Sequence, residues 1–238
     1  MALPAFGSEL ASMVNPMWLL KSLPNNVLCH VGIRFGIKGP NACITNHSVS
    51  GLLAIVEAAA GIVNGGADRA GAVGHDTPIE PQNVFYYHGA GLLARETLRP
   101  FDASRDGSLM GEGAGAMMVE SEASARARGA AVLGRVLGAG HATESEGLLA
   151  IRDDGEGPAR AIRAALAEAG VDERDVGMIV AHGNGTPASD ASEALAILDV
   201  FGADAPPVTA FKWSIGHLIA AAGAIEAVLA LEALRRGV

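Results

Sequence analysis

Aromatic side chains are scarce in this sequence: Phe, Trp and Tyr make up 4% of its 238 residues, although 50% are hydrophobic. Ala, Leu, Val and Gly must therefore build the core, and a chain of this length can bury a sizeable one. With 31 glycines, the composition predicts tightly packed α/β layers in which helices approach strands closely. Cysteine is nearly absent. Cys29 and Cys43 are too few for a disulfide framework, which points to a reducing, cytoplasmic compartment. Each is expected to be a small buried apolar side chain. Positive charge is in deficit, with a net charge of -9, and this argues against a nucleic-acid or anionic-membrane surface. Long apolar runs are also missing. The longest candidate, Leu218 to Leu234, carries Glu226 and Glu232 and reads as a buried helix rather than a membrane span. No basic-then-apolar pattern marks a secretory signal at the N-terminus.

What is present alternates between strand-like and helix-like segments, so an α/β fold with layered sheets is expected. Helices are predicted over Pro16–Leu23, Val27–Phe35, Ser50–Asn64, Ser121–Arg128, Gly157–Ala169 (with Pro158 in its first turn), Ser189–Phe201 and His217–Arg235. Strands are predicted over Ala42–Thr45, Arg69–Gly74, Gly113–Glu120, Ala131–Ala139, Val176–Ala181 and Pro207–Ala210. Residues 76–110 read as a long, loop-rich insertion. Strand, polar turn and helix at 42–64 recur at 177–201, a weak topological repeat whose halves would meet near Gly129. Met13, Met17, Met110, Met117 and Met118 read as core filler.

Three polar turns carry residues suited to chemistry. The first is a sharp elbow with Ser48 at its bend. A helix starts directly after it, as it would in a turn that presents a nucleophile to free backbone N–H groups. The second is Ala181-His182-Gly183-Asn184-Gly185-Thr186-Pro187, and the third is Phe211-Lys212-Trp213-Ser214-Ile215-Gly216-His217. Each follows a predicted strand, at the strand end where α/β sheets bind ligands. Ser, His, Lys and His at such positions make a plausible acyl-transfer set. Taken singly, each has a plainer reading: His182 as a turn histidine, His217 as a helix cap, Lys212 as a solvated charge. Glu226, mid-helix among apolar residues, is either buried with a partner or part of a site.

Together these segments resemble the β-ketoacyl-acyl carrier protein synthases, the condensing enzymes of fatty acid and polyketide synthesis. The resemblance rests on ordered anchors: Gly39-Pro40-Asn41, Ser50-Gly51, Arg99-Pro100-Phe101-Asp102, Arg105-Asp106-Gly107, Gly111-Glu112-Gly113-Ala114-Gly115, Ala181-His182-Gly183, Thr186-Pro187, Asp190, Glu193, Lys212, Gly216-His217, Ala221-Ala222-Gly223-Ala224 and Glu226. It implies a thiolase-like fold with α-β-α-β-α layers from two pseudo-duplicated halves, here residues 1–129 and 130–238, each incomplete at its outer end. It also implies an acyltransferase of the 3-oxoacyl synthase type. The nucleophile position falls on Ser48, the two histidines on His182 and His217, the lysine on Lys212 and its associated glutamate on Glu226. Substrate-lining positions fall on Asn184, Thr186 and Ser108. The implied partners are acyl carrier protein, malonyl and acyl thioesters carried on its phosphopantetheine, and a second ketosynthase subunit in a homodimer or heterodimer. No separate cofactor or metal is implied.

The sequence departs from that pattern at informative places. The family elbow carries cysteine, whose thiol has a pKa of ~8.5 that a helix N-terminus lowers. Serine needs a general base instead, and His182 is the candidate, although its family role is to donate to a thioester carbonyl. The family has an aromatic at Ser108, threonine at Asn184 and serine at Trp213. Asn46-His47 also departs from the family elbow, which argues that the serine is native. The first strands of the family sheet are expected before Met1. A glycine-rich loop giving the second oxyanion-hole amide is expected after Val238. These departures keep two other readings open: a non-condensing partner subunit like a chain-length factor, and a malonyl-carrier-protein decarboxylase.

Overall fold

The computed structural model describes residues 15–147 and 149–237. Residues up to Thr45 form one unit and those from Asn46 another. In the first unit, α1 spans Trp18–Ser22 and α2 spans Asn26–Phe35, close to the predicted helices. Gly36 ends α2 in the left-handed conformation, and its N–H reaches back to the Gly32 and Ile33 carbonyls, as a C-terminal glycine does. Ala42–Thr45 is not a strand. A strand exists only through a neighbour, and this short segment has no ladder partner among the described residues. The first arm of the suggested repeat is therefore lost.

The second unit opens on a 3₁₀ turn, His47–Val49, which runs into α3, Ser50–Val63. Strand β1 (Arg69–Asp76) pairs antiparallel with β2 (Gly113–Glu120), from Arg69 opposite Glu120 to Asp76 opposite Gly113. Between them the predicted loop contains a helix, α4, Pro81–Gly89. Pro81 starts α4 after an extended Glu80, a start signal masked in the sequence by a weakly amphipathic, aromatic-rich segment. α5 (Glu122–Ala127) is capped by the Ser121 side chain, which accepts from the Ser124 N–H. Ala131–Ala139 is irregular. Val132, Leu133, Val136 and Leu137 are exposed there, so an apolar run alone did not secure a sheet partner.

The rest of the unit is α6 (Glu156–Ala169), β3 (Ile179–Val180), α7 (Pro187–Phe201), β4 (Val208–Thr209), α8 (Lys212–Ile215) and α9 (Ala222–Arg236). β3 and β4 lie parallel, Ile179 beside Val208 and Val180 beside Thr209. They are shorter than predicted because their flanks continue only as isolated hydrogen bonds, such as Ala181 N–H to the Thr209 carbonyl at 2.7 Å. The final helix begins at Ala222, after a 3₁₀ turn over Ile219–Ala221, which leaves His217 on the preceding loop.

The core centres on Leu218, Ala221 and Ala222, with Ile215 and Ile225 packed against them. Glycine decides how closely α3 and β1 approach α9. A Cβ at Gly51 would lie 2.7 Å from the Ala224 nitrogen, and one at Gly74 would lie 2.6 Å from the Ala224 Cβ. The expected close packing of small residues is present here. Two expectations about individual residues are corrected. Cys29 and Cys43 are exposed free thiols, and Met17 and Met118 are exposed rather than core filler. Met13 lies outside the described residues. No helix among the described residues is long and apolar enough to cross a membrane.

Candidate active site

Parallel pairing of β3 with β4 brings two of the three turns together. The Ala181-His182 turn leaves β3 where Phe211-Lys212 leaves β4, at neighbouring carboxyl ends. Lys212 is fully buried. Its Nζ donates to the His182 carbonyl and to Glu226 Oε1 on α9, both at 2.6 Å. Lys212 is therefore not a solvated charge, and Glu226 is a buried carboxylate with a partner. Burial pushes the Glu226 pKa up, and the Lys212 ammonium opposes that rise.

α7 braces the histidine turn. Glu193 accepts from the His182 N–H at 2.6 Å and the Gly183 N–H at 2.9 Å. One helical turn earlier, Asp190 accepts from the Gly185 N–H at 3.1 Å and the Phe101 N–H at 2.7 Å. Spacing three apart puts both carboxylates on one helix face. Burial raises the pKa of both. Asn184 Oδ1 accepts from the Thr186 N–H at 2.9 Å and hydroxyl at 2.8 Å, so these two residues frame the turn through one another.

The third turn brings His217 alongside Met110. The His217 N–H donates to the Leu109 carbonyl at 2.7 Å, and the Gly111 N–H donates to the His217 carbonyl at 3.1 Å. Ser108, just upstream, is buried, and its hydroxyl has no hydrogen-bond partner among the described residues. The His217 and His182 rings meet edge to face, with centroids 5.2 Å apart. His217 is 2% exposed. Burial, then His182, Lys212 and His47, lower its pKa to about 2. Burial and then the Lys212 and His47 charges lower that of His182 to about 3. Both imidazoles are neutral near pH 7 and can donate from one nitrogen to a developing oxyanion.

Ser48 completes the cluster. Its Oγ lies 3.2 Å from His217 Nε2 and 2.9 Å from His47 Nδ1. His182, the candidate base, is not among its hydrogen-bond partners; His217 and His47 occupy that place. The elbow is held by buried Ser50, which accepts from the Asn46 N–H at 2.7 Å and donates to the His47 carbonyl at 2.8 Å. His47 itself has φ 48, a left-handed conformation that costs a non-glycine residue ~1–2 kcal/mol. Sequence reasoning gave no role to His47, Tyr87, Ser50 or Glu193. The available signals were a bulky residue at a tight elbow and an acidic residue on the helix after the histidine turn.

The cluster therefore joins a hydroxyl, two neutral imidazoles and a buried ammonium–carboxylate pair, which suits acyl transfer at a thioester carbonyl. Comparison with known proteins gives the same direction. The model of the β-ketoacyl synthase N-terminal domain matches residues 7–125, and that of the C-terminal domain matches residues 133–238. The 3-oxoacyl-[acyl-carrier-protein] synthase 2 of Staphylococcus aureus is 35% identical over 222 residues, 90% of this chain and 55% of the relative. The chain thus spans about half the length of this curated relative. A type II polyketide ketosynthase solved in complex with its acyl-carrier protein superimposes with TM-score 0.89 at 28% identity, covering 93% of this chain and 57% of that one. The ishigamide ketosynthase/chain length factor gives TM-score 0.89 at 30% identity, covering 98% of this chain and 58% of that one. The fold is thus the thiolase-like one of the ketosynthases, and the chain belongs to the β-ketoacyl synthase family.

Proposed function

We propose that the chain performs β-ketoacyl synthase-type acyl transfer in fatty acid or polyketide biosynthesis, on thioesters carried by acyl carrier protein, in the cytoplasm. Ser48 accepts the acyl group. Neutral His182 and His217 donate to the thioester oxygen of the malonyl unit as carbon dioxide leaves. Lys212, locked to Glu226, disfavours their protonation, as like charges do. Asn184, Thr186 and Ser108 line the substrate. Residues 1–129 and 130–238 act as two similar halves, and the protein works as a dimer with itself or with another ketosynthase. The observation that carries the reading is the approach of Ser48 Oγ to His217 Nε2 at 3.2 Å, with His182 in ring contact beyond it.

The test is intact mass after incubation with acyl- and malonyl-carrier protein. An acyl adduct that disappears in Ser48→Ala and persists in Ser48→Cys is the expected result; no adduct on the natural chain overturns the reading. Serine at the elbow favours a second reading, a non-condensing partner subunit, which stable co-purification with a cysteine-bearing synthase would support.

A further inference from the structure

Ser48 has one proton and two imidazole neighbours, so it can donate to only one of them. The other ring must donate to it. The choice is made at the far side of each ring. His217 Nδ1 is buried with no hydrogen-bond partner among the described residues. A proton there would be an orphaned buried donor, which folded proteins avoid more strictly than an orphaned acceptor. The network therefore assigns the His217 proton to Nε2, where it donates to Ser48 Oγ. Ser48 then donates to His47 Nδ1, at 2.9 Å. That leaves the His47 proton on Nε2, which lies 2.7 Å from the Tyr87 hydroxyl. Tyr87, on α4, runs nearly parallel to the imidazole, with ring planes 16° apart.

We propose that His47 is the general base for Ser48, and that Tyr87 is a positioning residue that fixes its tautomer by accepting from Nε2. The proposal rests on the reading of Ser48 as acyl acceptor and extends it. His47 sits one residue before the nucleophile, in the left-handed conformation that aims its ring back at Oγ. Strain of this kind concentrates at functional positions. The substrate class is an acyl thioester, and the product is an acyl-serine oxygen ester. Oγ bonds to the carbonyl carbon as its proton moves to His47 Nδ1. The C–S bond then breaks as the carbonyl re-forms, and the departing sulfur takes that proton. His47 returns to neutral and a free thiol is released. His217 keeps its own proton on Nε2 and, once Oγ carries the acyl group, can turn that donor to the oxygen side of the reaction.

The test uses acetyl-coenzyme A and follows acyl-enzyme formation on the intact chain by mass, across pH. His47→Asn is the main variant, because asparagine tolerates the left-handed backbone and brings no base. It should form the adduct on the order of 100-fold more slowly, the low end of general-base contributions. The natural chain should acylate faster as pH rises through the His47 titration, and the variant should lose that step. The charged and titratable groups facing His47 are Asp76, His182, His217 and Tyr87. Tyr87→Phe removes the acceptor that favours the imidazolium, so it should slow acylation and lower the pH midpoint without abolishing the step; a merely structural role would leave the midpoint in place. In a Ser48→Cys background, His47→Asn should matter much less, since a thiolate needs no base. Equal acylation rates for His47→Asn and the natural chain overturn the assignment and leave the acyl-acceptor reading standing. No adduct on the natural chain overturns both.

Discussion

Lys212 Nζ donates to Glu226 Oε1 at 2.6 Å with the lysine side chain wholly removed from solvent. Nothing in the local sequence of either residue names the other as partner. Breaking such a pair leaves a buried charge uncompensated. Glu226→Leu is expected to destabilise the fold by about 3–5 kcal/mol. The double variant with Lys212→Met should be markedly more stable than Glu226→Leu alone, because no unpaired charge remains. Urea unfolding midpoints of the variants check this.

Acid should weaken the fold above the usual carboxylate range. Unfolded histidines titrate near ~6.5, whereas His182 and His217 titrate at about 3 and about 2 in the folded chain. Between pH ~6.5 and the folded values the unfolded state binds more protons, so stability falls as pH falls, by up to ~1.4 kcal/mol per pH unit for each histidine. Raised pKa values at Asp190, Glu193 and Glu226 act oppositely, since those groups hold protons more tightly when folded. His217→Gln should flatten the dependence of unfolding free energy on pH between 6.5 and 5 by roughly one histidine's share. An unchanged slope would count against a buried neutral His217.

Glu193 fastens the turn that presents His182. A Glu193→Gln side chain retains one acceptor oxygen for two N–H groups. Loss of one such bond to a buried donor costs about 1–3 kcal/mol. Thermal unfolding should register that loss, and decarboxylation of malonyl-carrier protein should slow as His182 loses its register, with Glu193→Ala worse in both assays.

Two glycines of α3 should respond with opposite signs. Gly51→Ala drives a Cβ to 2.7 Å from the Ala224 nitrogen and 2.9 Å from the Ala220 carbonyl oxygen, backbone atoms that cannot swing aside. Overpacking of this kind costs roughly 1–3 kcal/mol. Gly61→Ala meets nothing within 4 Å and should stabilise the helix by about 1 kcal/mol, the propensity difference between the two residues. Denaturant midpoints of the two variants, measured side by side, separate close packing from intrinsic helix preference.

Much of this was legible in the residues. The helices over 50–63, 156–169 and 187–201 follow from apolar spacing bounded by Gly or Pro. β2 spans Gly113–Glu120 as its composition predicts, because it is bounded by its own turn signals and pairs along its whole length. Ala131–Ala139 shows where such reasoning runs out. An apolar run states that a segment can enter a sheet, and only a free neighbouring edge makes it one. The α4 helix was hidden for the opposite reason, since a short, weakly amphipathic segment gains its order from Pro81 and from what it meets.

The site divides along the same line. The sequence by itself determined the family, the elbow that carries Ser48, and the identity of the two histidines, the lysine and the glutamate, because these depend on residue types in a fixed order. Only the tertiary structure decided which of them touch. Ser48 and His217 stand 169 positions apart, and their contact follows from the packing of α3 and β1 against α9 through Gly51, Gly74 and Ala224. The tertiary structure also placed His47 rather than His182 against the Ser48 hydroxyl, because the orientation of a ring is set by the backbone that bears it and by the Tyr87 hydroxyl waiting on its far side.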